Sequence, residues 1–87
     1  MKISIIGVGL IGGSIALKLK QKKTADFIYG IDNNTENLDE ALALNIINEK
    51  ADLKTGIQNS DLVIIAIPVD SARKILPEVG FTKPTII

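Results

Sequence analysis

The sequence predicts an α/β fold built on a doubly wound parallel sheet, and three observations carry this prediction. Short apolar runs alternate with longer segments in which apolar residues recur at helical spacing. The runs are apolar on both faces, which is typical of buried strands in a parallel sheet. A glycine-rich turn follows the first run directly. Because parallel strands are joined by right-handed helical crossovers, this alternation predicts an open sheet with helices on both faces.

Strands are predicted where apolar runs lie between turn signals, and helices where the spacing is three to four residues. The predicted strands are 2–6, 27–31, a short edge strand at 49–52, 62–67, and one that begins at 85–87. The predicted helices are 10–22, one from the cap candidates Asn33, Asn34 and Thr35 to about Leu44, and 70–79 with a break at Pro77. The residues expected to face the sheet are Ile11, Ile15 and Leu19 in the first helix and Leu38, Ala41 and Leu42 in the second. A turn is expected at Gly56.

The chain is expected to be a single domain, residues 1–87, that forms the N-terminal part of a longer protein. Its last residues, Thr85 to Ile87, begin an apolar strand without completing it. We therefore expect a Rossmann-type domain that is truncated at its fifth strand.

The turn Gly7-Val8-Gly9-Leu10-Ile11-Gly12 has the spacing of a dinucleotide-binding fingerprint, in the expected place between a strand and a helix. Gly7 permits the tight turn out of the strand, and Gly9 leaves room for a pyrophosphate to approach the backbone. Gly12 lets the helix lie close to the sheet. The N–H groups of Leu10, Ile11 and Gly12 then point at the phosphates with the helix dipole behind them. The turn therefore predicts a phosphate-binding site.

Asp32 closes the second strand about 20 residues after the last glycine, where such domains place a ribose-binding acid. It is expected to accept the hydroxyls of the adenosine ribose, with Asn33 as a further hydrogen-bonding partner. The alternative is that Asp32 only caps the second helix. A carboxylate here repels a 2′-phosphate, and no lysine or arginine stands between Asp32 and Lys50 to attract one. The sequence therefore favours NAD over NADP as the cofactor.

Ala66, Ile67 and Pro68 follow a central strand at its carboxyl end, where open α/β sheets bind their ligands. They are expected to line the cofactor. The alternative is a plain strand end that the proline closes.

The bulk composition excludes several function classes. The chain is 46% hydrophobic and 23% charged, with a formal net charge of zero and 3% aromatic residues. It has neither the basic excess nor the stacking residues of a nucleic-acid binder. Cysteine is absent, which excludes disulfides and thiolate metal sites. The N-terminal apolar stretch is interrupted by glycines, which argues against a signal peptide, and it is too short to span a membrane. We therefore expect a cytoplasmic protein. No metal site is expected.

The stretch Gly9-Leu10-Ile11-Gly12-Gly13-Ser14 resembles the opening of prephenate and arogenate dehydrogenases. Asn45 to Glu49 is similar to that family's segment after the second helix, and Asp61 to Val69 to its fourth strand and the turn behind it. The segment from Ile75 to Glu78 also has a counterpart there. The resemblance covers nearly the whole chain. It implies a Rossmann-type fold and NAD as the cofactor.

The resemblance further implies the oxidative decarboxylation of prephenate to 4-hydroxyphenylpyruvate, a step of tyrosine biosynthesis, or the matching reaction of arogenate. The family's base is a histidine, and this chain has none. It has a single arginine, Arg73, for a substrate that carries two carboxylates. The segment alone is therefore expected to be inactive. A helical domain that binds the substrate and forms a homodimer is expected to complete the protein.

Two alternatives stay open at this point. One is a non-catalytic nucleotide sensor, such as the regulatory domain of a potassium-uptake system, although those domains usually carry a charged residue after the second glycine. The other is a different dehydrogenase or reductase that binds NAD or NADP, such as a pyrroline-carboxylate reductase or a 3-hydroxyacid dehydrogenase. The Gly-rich turn alone does not separate these.

Overall fold

The structure is a computed structural model that describes residues 1–67, 73–74 and 85–86. Its helices and strands alternate along the chain as the sequence predicts. In chain order they are β1 (Lys2–Ile6), α1 (Leu10–Gln21), β2 (Phe27–Ile31), α2 (Thr35–Ala43), β3 (Glu49–Lys50), α3 (Leu53–Asn59), β4 (Leu62–Ile65) and β5 (Thr85–Ile86).

The strands form one parallel sheet in the order β3-β2-β1-β4-β5. Ile6 at the end of β1 is paired with Ile31 of β2 on one side and with Ile65 of β4 on the other. The carboxyl ends of three central strands therefore meet at one edge. The strand order reverses between β1 and β4, and such a switch point is where open α/β sheets bind ligands.

Two apolar cores lie on opposite faces of this sheet. On one face, α1 and α2 pack against β1 and β2 around Ile3, Ile5 and Ile28. On the other face, α3 packs through Ile57 against Ile6 and other apolar residues of β1, β2 and β4. Helices thus cover both faces, and the predicted doubly wound α/β fold is confirmed.

The prediction of a turn at Gly56 is wrong, because this residue lies inside α3. A Cβ on Gly56 would stand 2.6 Å from the Cδ1 atom of Ile31 and 3.1 Å from the Ser4 hydroxyl oxygen. The Ser4 hydroxyl donates to the Gly56 carbonyl at 2.8 Å. The glycine therefore marks a close approach of helix to sheet, which sequence alone does not distinguish from a turn.

Several predicted boundaries shift. The edge strand ends at Lys50 because Asp52 is the N-cap of α3, where its carboxylate accepts from the N–H of Thr55 at 2.7 Å. The fourth strand ends at Ile65 rather than at residue 67, and the first helix ends one residue earlier than expected, at Gln21. Of the helix predicted at 70–79, only residues 73–74 are described, and they are helical. Its break at Pro77 lies outside the described residues.

The prediction that Ile11 faces the sheet is also wrong, since this side chain is 70% exposed. Ala16 is fully buried, and Ile15 and Leu19 pack against the same core. In the first turn of α1, Gly12 lies against the Gly7 carbonyl, and its neighbour Ile11 therefore points to solvent. None of the helices in the described part of the chain is both long and apolar enough to cross a membrane.

Candidate functional site

The Gly-rich turn lies at the carboxyl edge of the sheet, between the ends of β2 and β4. The N–H of Gly7 donates to the Ile31 carbonyl at 2.7 Å, and the N–H of Ala66 donates to the Ile6 carbonyl at 2.8 Å. These two bonds extend the strand pairing past the last residue of β1. The first residue of the turn is therefore tied to the end of β2, and the residue before it to Ala66 after β4.

Gly7 sits in a backbone conformation that only glycine adopts readily, with φ at +92°. A Cβ at this position would also come 2.7 Å from the Ala66 carbonyl oxygen and 2.5 Å from the Cγ2 atom of Ile67. Both the turn and the residues that follow β4 thus require glycine here, as the sequence predicts for a tight turn.

Gly12 allows α1 to lie against this turn. A Cβ on Gly12 would overlap the carbonyl oxygen of Gly7 and would stand 3.4 Å from the Ala66 Cβ atom. The close packing predicted for Gly12 is therefore present, and it sets the position of the N-terminus of α1.

Gly9 has a different environment, because its missing side chain would point into open space. A Cβ there would find only the amide nitrogen of Asn37, at 3.8 Å. Gly9 is the N-cap of α1 and offers no side chain to the helix, whereas Asn34 caps α2 and Asp52 caps α3 with side-chain oxygens. The open space beside Gly9 therefore lies directly at the uncapped start of α1.

The start of α1 presents backbone donors to this open space. Gly13 donates to the Gly9 carbonyl at 2.8 Å, which closes the first turn. The N–H groups of Leu10, Ile11 and Gly12 precede that bond and have no helical carbonyl behind them. Together with the positive end of the helix dipole, they form a site suited to an anion.

Asp32 lies beside this anion site and links three parts of the chain. Its Oδ2 oxygen accepts the N–H of Val8 at 3.0 Å and the side-chain amide of Asn37 at 3.3 Å. Its Oδ1 oxygen accepts the N–H of Asn34 at 2.8 Å. Because the side chain of Asn34 caps α2, accepting from Glu36 at 2.9 Å, Asp32 is not the cap of that helix.

Asn37 is the residue of this site that sequence analysis missed. It lies in the first turn of α2, half-buried, and joins Asp32 to the space beside Gly9. Its position, five residues after the acid, matches no motif. The available signal was weak: asparagine is a poor helix former, so its presence inside a helix invites a search for a partner.

The structure brings most of the predicted site residues together at one edge. Ala66 and Ile67 are half-buried beside the turn, and Ile11 and Asn33 are exposed near it, while Pro68 lies outside the described residues. The residues that meet at the carboxyl edge are Gly7, Gly9, Gly12, Asp32, Ala66 and Ile67. This constellation offers donors for phosphates and an acceptor for hydroxyls.

Comparison with known families relates the chain to nucleotide-binding domains. Residues 15–86 match the family described as prephenate dehydrogenase, nucleotide-binding domain. The chain is 41% identical over 79 residues to the prephenate dehydrogenase of Bacillus subtilis (strain 168), covering 90% of this chain and 21% of that protein. It is 39% identical over 80 residues to the prephenate dehydrogenase of Lactococcus lactis subsp. cremoris (strain MG1363), covering 91% and 22%. The chain thus spans about a fifth of the length of these relatives.

Among solved structures, the chain is similar to the prephenate dehydrogenase of A. aeolicus crystallised with hydroxyphenyl propionate and NAD⁺. The TM-score is 0.83 at 30% identity, covering 95% of this chain and 30% of that one. These relatives are dehydrogenases, and they give no support to the alternative of a potassium-uptake regulator.

Proposed function

The chain belongs to the family of prephenate dehydrogenase nucleotide-binding domains, and from this premise we propose that it binds NAD at the Gly-rich turn. The observation that carries the proposal is the uncapped start of α1, which faces open space at Gly9 with the Asp32 carboxylate beside it. Anion donors and a hydroxyl acceptor side by side fit the two halves of an adenosine diphosphate group.

Each part of the site has a role in this proposal. The N–H groups of Leu10, Ile11 and Gly12 bind the pyrophosphate, and Gly9 leaves the space that it needs. Asp32 accepts from the adenosine ribose, and Asn33 contributes a further hydrogen bond. Cofactor contacts are completed by the residues that follow β4, namely Ala66, Ile67 and Pro68.

The same acid supports a preference for NAD over NADP. A 2′-phosphate would bring negative charge next to the Asp32 carboxylate, and residues 33–49 contain no lysine or arginine to offset it. In this fold a strand-end acid accepts the free ribose hydroxyl of NAD, while NADP binding relies on a nearby cation.

We further propose that residues 1–87 are the cofactor domain of a cytoplasmic dehydrogenase, homodimeric through a helical substrate domain. The reaction is the oxidative decarboxylation of prephenate or of arogenate, for which NAD is the hydride acceptor. The relatives support this assignment, since both curated matches are prephenate dehydrogenases of several times this length. The chain itself has no histidine to serve as a base.

The cofactor assignment is tested by titrating NAD and NADP against the full-length protein in a calorimeter. We expect NAD to bind more tightly, and the variant Asp32→Ser to lose most of this preference, because the change removes an acceptor and a repulsive charge together. Asp39→Ser is a matched control, since Asp39 is an exposed acid on the same helix as Asn37 that pairs with Lys50. Equal or tighter binding of NADP by the unmodified protein would contradict the proposal.

A further inference from the structure

We propose that Asn37 is a positioning residue for the cofactor: its side-chain amide holds the Asp32 carboxylate ready to accept one ribose hydroxyl. The inference rests on the proposed function, because it concerns how NAD is held at this site. It assigns a role to a residue that belongs to no part of the fingerprint.

Asn37 stands between the acid and the phosphate site. Its amide nitrogen lies 3.3 Å from Asp32 Oδ2 and 3.8 Å from the place that a Gly9 Cβ would occupy. It also lines, with Gly9, the groove between α1 and α2. Any cofactor that runs from Gly9 to Asp32 therefore passes this side chain.

The orientation of the Asn37 amide follows from its partner. An ionised carboxylate only accepts hydrogen bonds, so the NH₂ group of the amide must face Asp32. A hydrogen bond to a charged oxygen is stronger than one between neutral groups. At 3.3 Å this bond is longer than usual, so its contribution to the stability of the fold is small.

The remaining capacity of the Asp32 carboxylate points to a single additional donor. A carboxylate offers about four acceptor sites on its two oxygens. Val8 and Asn37 donate to Oδ2 and Asn34 donates to Oδ1, which leaves one site on Oδ1. One ribose hydroxyl can donate there without displacing any of the three existing donors. By the general geometry of this fold, that hydroxyl is the adenosine 2′-hydroxyl.

Removing the Asn37 amide leaves the two backbone donors in place but frees one side of Oδ2. The carboxylate then has to be ordered when the ligand binds, at a cost in affinity. We expect the affinity for NAD to fall by about three- to tenfold, the range for one modest hydrogen bond. The preference for NAD over NADP should fall by a similar factor, because NADP gains nothing from a well-oriented carboxylate.

The test measures dissociation constants with the full-length protein for NAD and for the analogue that lacks the adenosine 2′-hydroxyl. The variants are Asn37→Ala and Asn37→Asp; the second keeps the shape of the side chain and replaces the donor by a charge. The matched control is Asn59→Ala on α3, where the Asn59 amide donates to the Thr55 carbonyl at 2.8 Å, on the opposite face of the sheet. Thermal unfolding of each variant checks that the fold is kept.

Both Asn37 variants should weaken NAD binding, Asn37→Asp the more strongly because its charge also repels the pyrophosphate. Asn37→Ala should leave binding of the 2′-deoxy analogue almost unchanged. The control should bind both ligands as the unmodified protein does. If Asn37→Ala weakened binding of the two ligands equally, or of neither, the role of Asn37 would be overturned while NAD binding by the unmodified protein still stands. If the unmodified protein bound no NAD, the proposed function and this inference would both fail.

Discussion

Among the residues, the glycines of the turn separate into those that the fold requires and one that the ligand requires. A Cβ on Gly7 or Gly12 would collide with neighbouring atoms, backbone carbonyls among them, whereas the space beside Gly9 is open except for the Asn37 amide at 3.8 Å. Gly9 also has an ordinary extended conformation, with φ at −71°. A side chain at Gly9 should therefore disturb binding rather than folding.

We expect Gly9→Val to abolish NAD binding while reducing the free energy of unfolding by no more than about 1 kcal/mol, the usual scale for a change at an N-cap. Gly12→Ala should instead destabilise the fold by about 2–3 kcal/mol, because its Cβ overlaps the Gly7 carbonyl. Calorimetric titration and thermal unfolding distinguish the two effects. Gly13→Ala is the control, since its Cβ would make only an ordinary contact of 3.6 Å. Unchanged NAD binding in Gly9→Val would refute the phosphate-site assignment.

Most residues of the site could be predicted from the sequence, and one could not. Gly7, Gly9, Gly12 and Asp32 could be predicted because their spacing is fixed by the strand-turn-helix geometry. Asn37 could not, because its partners come from the end of β2 and from the Gly-rich turn, and only the packing of α2 brings them to it.

At the scale of elements, the strands were predicted more reliably than the helix between β3 and β4. The runs at 2–6 and 27–31 match β1 and β2 residue for residue, because each is buried on both faces. α3 was missed: it has only 7 residues, and Gly56 at its centre signals a turn. What makes this segment helical is its cap at Asp52 and its packing through Ile57 against the sheet.

The cap of α3 gives stability a pH dependence. The backbone N–H of Thr55, bonded to the carboxylate at 2.7 Å, holds the pKa of Asp52 below its usual value. Since the folded pKa is the lower one, this contribution to stability is present above the unfolded pKa and is lost as pH falls through the folded pKa. We expect Asp52→Ala to lower the melting temperature at neutral pH, with a smaller effect in acid. Asp61→Ala serves as a comparison, because Asp61 accepts from Lys2 N–H at 2.9 Å but starts no helix. An equal loss for Asp52→Ala at neutral and acid pH would contradict this cap.

For the whole molecule, the fold follows from one simple constraint, the right-handedness of its crossovers. Right-handed crossovers place α1 and α2 on one face and send the chain across to β4 on the other side of β1. The switch point between β1 and β4 then lies beside the Gly-rich turn, so the strand order itself places the cofactor site. The sequence predicts the doubly wound class, because that class depends on the order of elements and not on the exact ends of each; the strand order itself comes from the structure.

The described site provides a cofactor cradle, whereas the histidine base that the family resemblance implies is absent from these 87 residues. A general base must lie within hydrogen-bond reach of the proton it takes, and the chain has no histidine for that role. Its single arginine, Arg73, is exposed. We therefore expect the full-length protein to reduce NAD with prephenate or arogenate, and the 87-residue segment to turn over neither substrate.

The measurement follows the absorbance of the reduced cofactor for both proteins side by side, with each of the two substrates. A parallel NAD titration of the segment shows whether its inactivity reflects missing catalytic groups or a failure to bind NAD. Turnover by the segment alone would contradict the proposal that the catalytic groups lie outside residues 1–87, because a base would then have to exist among these residues. Inactivity of the full-length protein on both substrates would instead remove the proposed reaction, while NAD binding at Gly9 and Asp32 would stand or fall by its own titration.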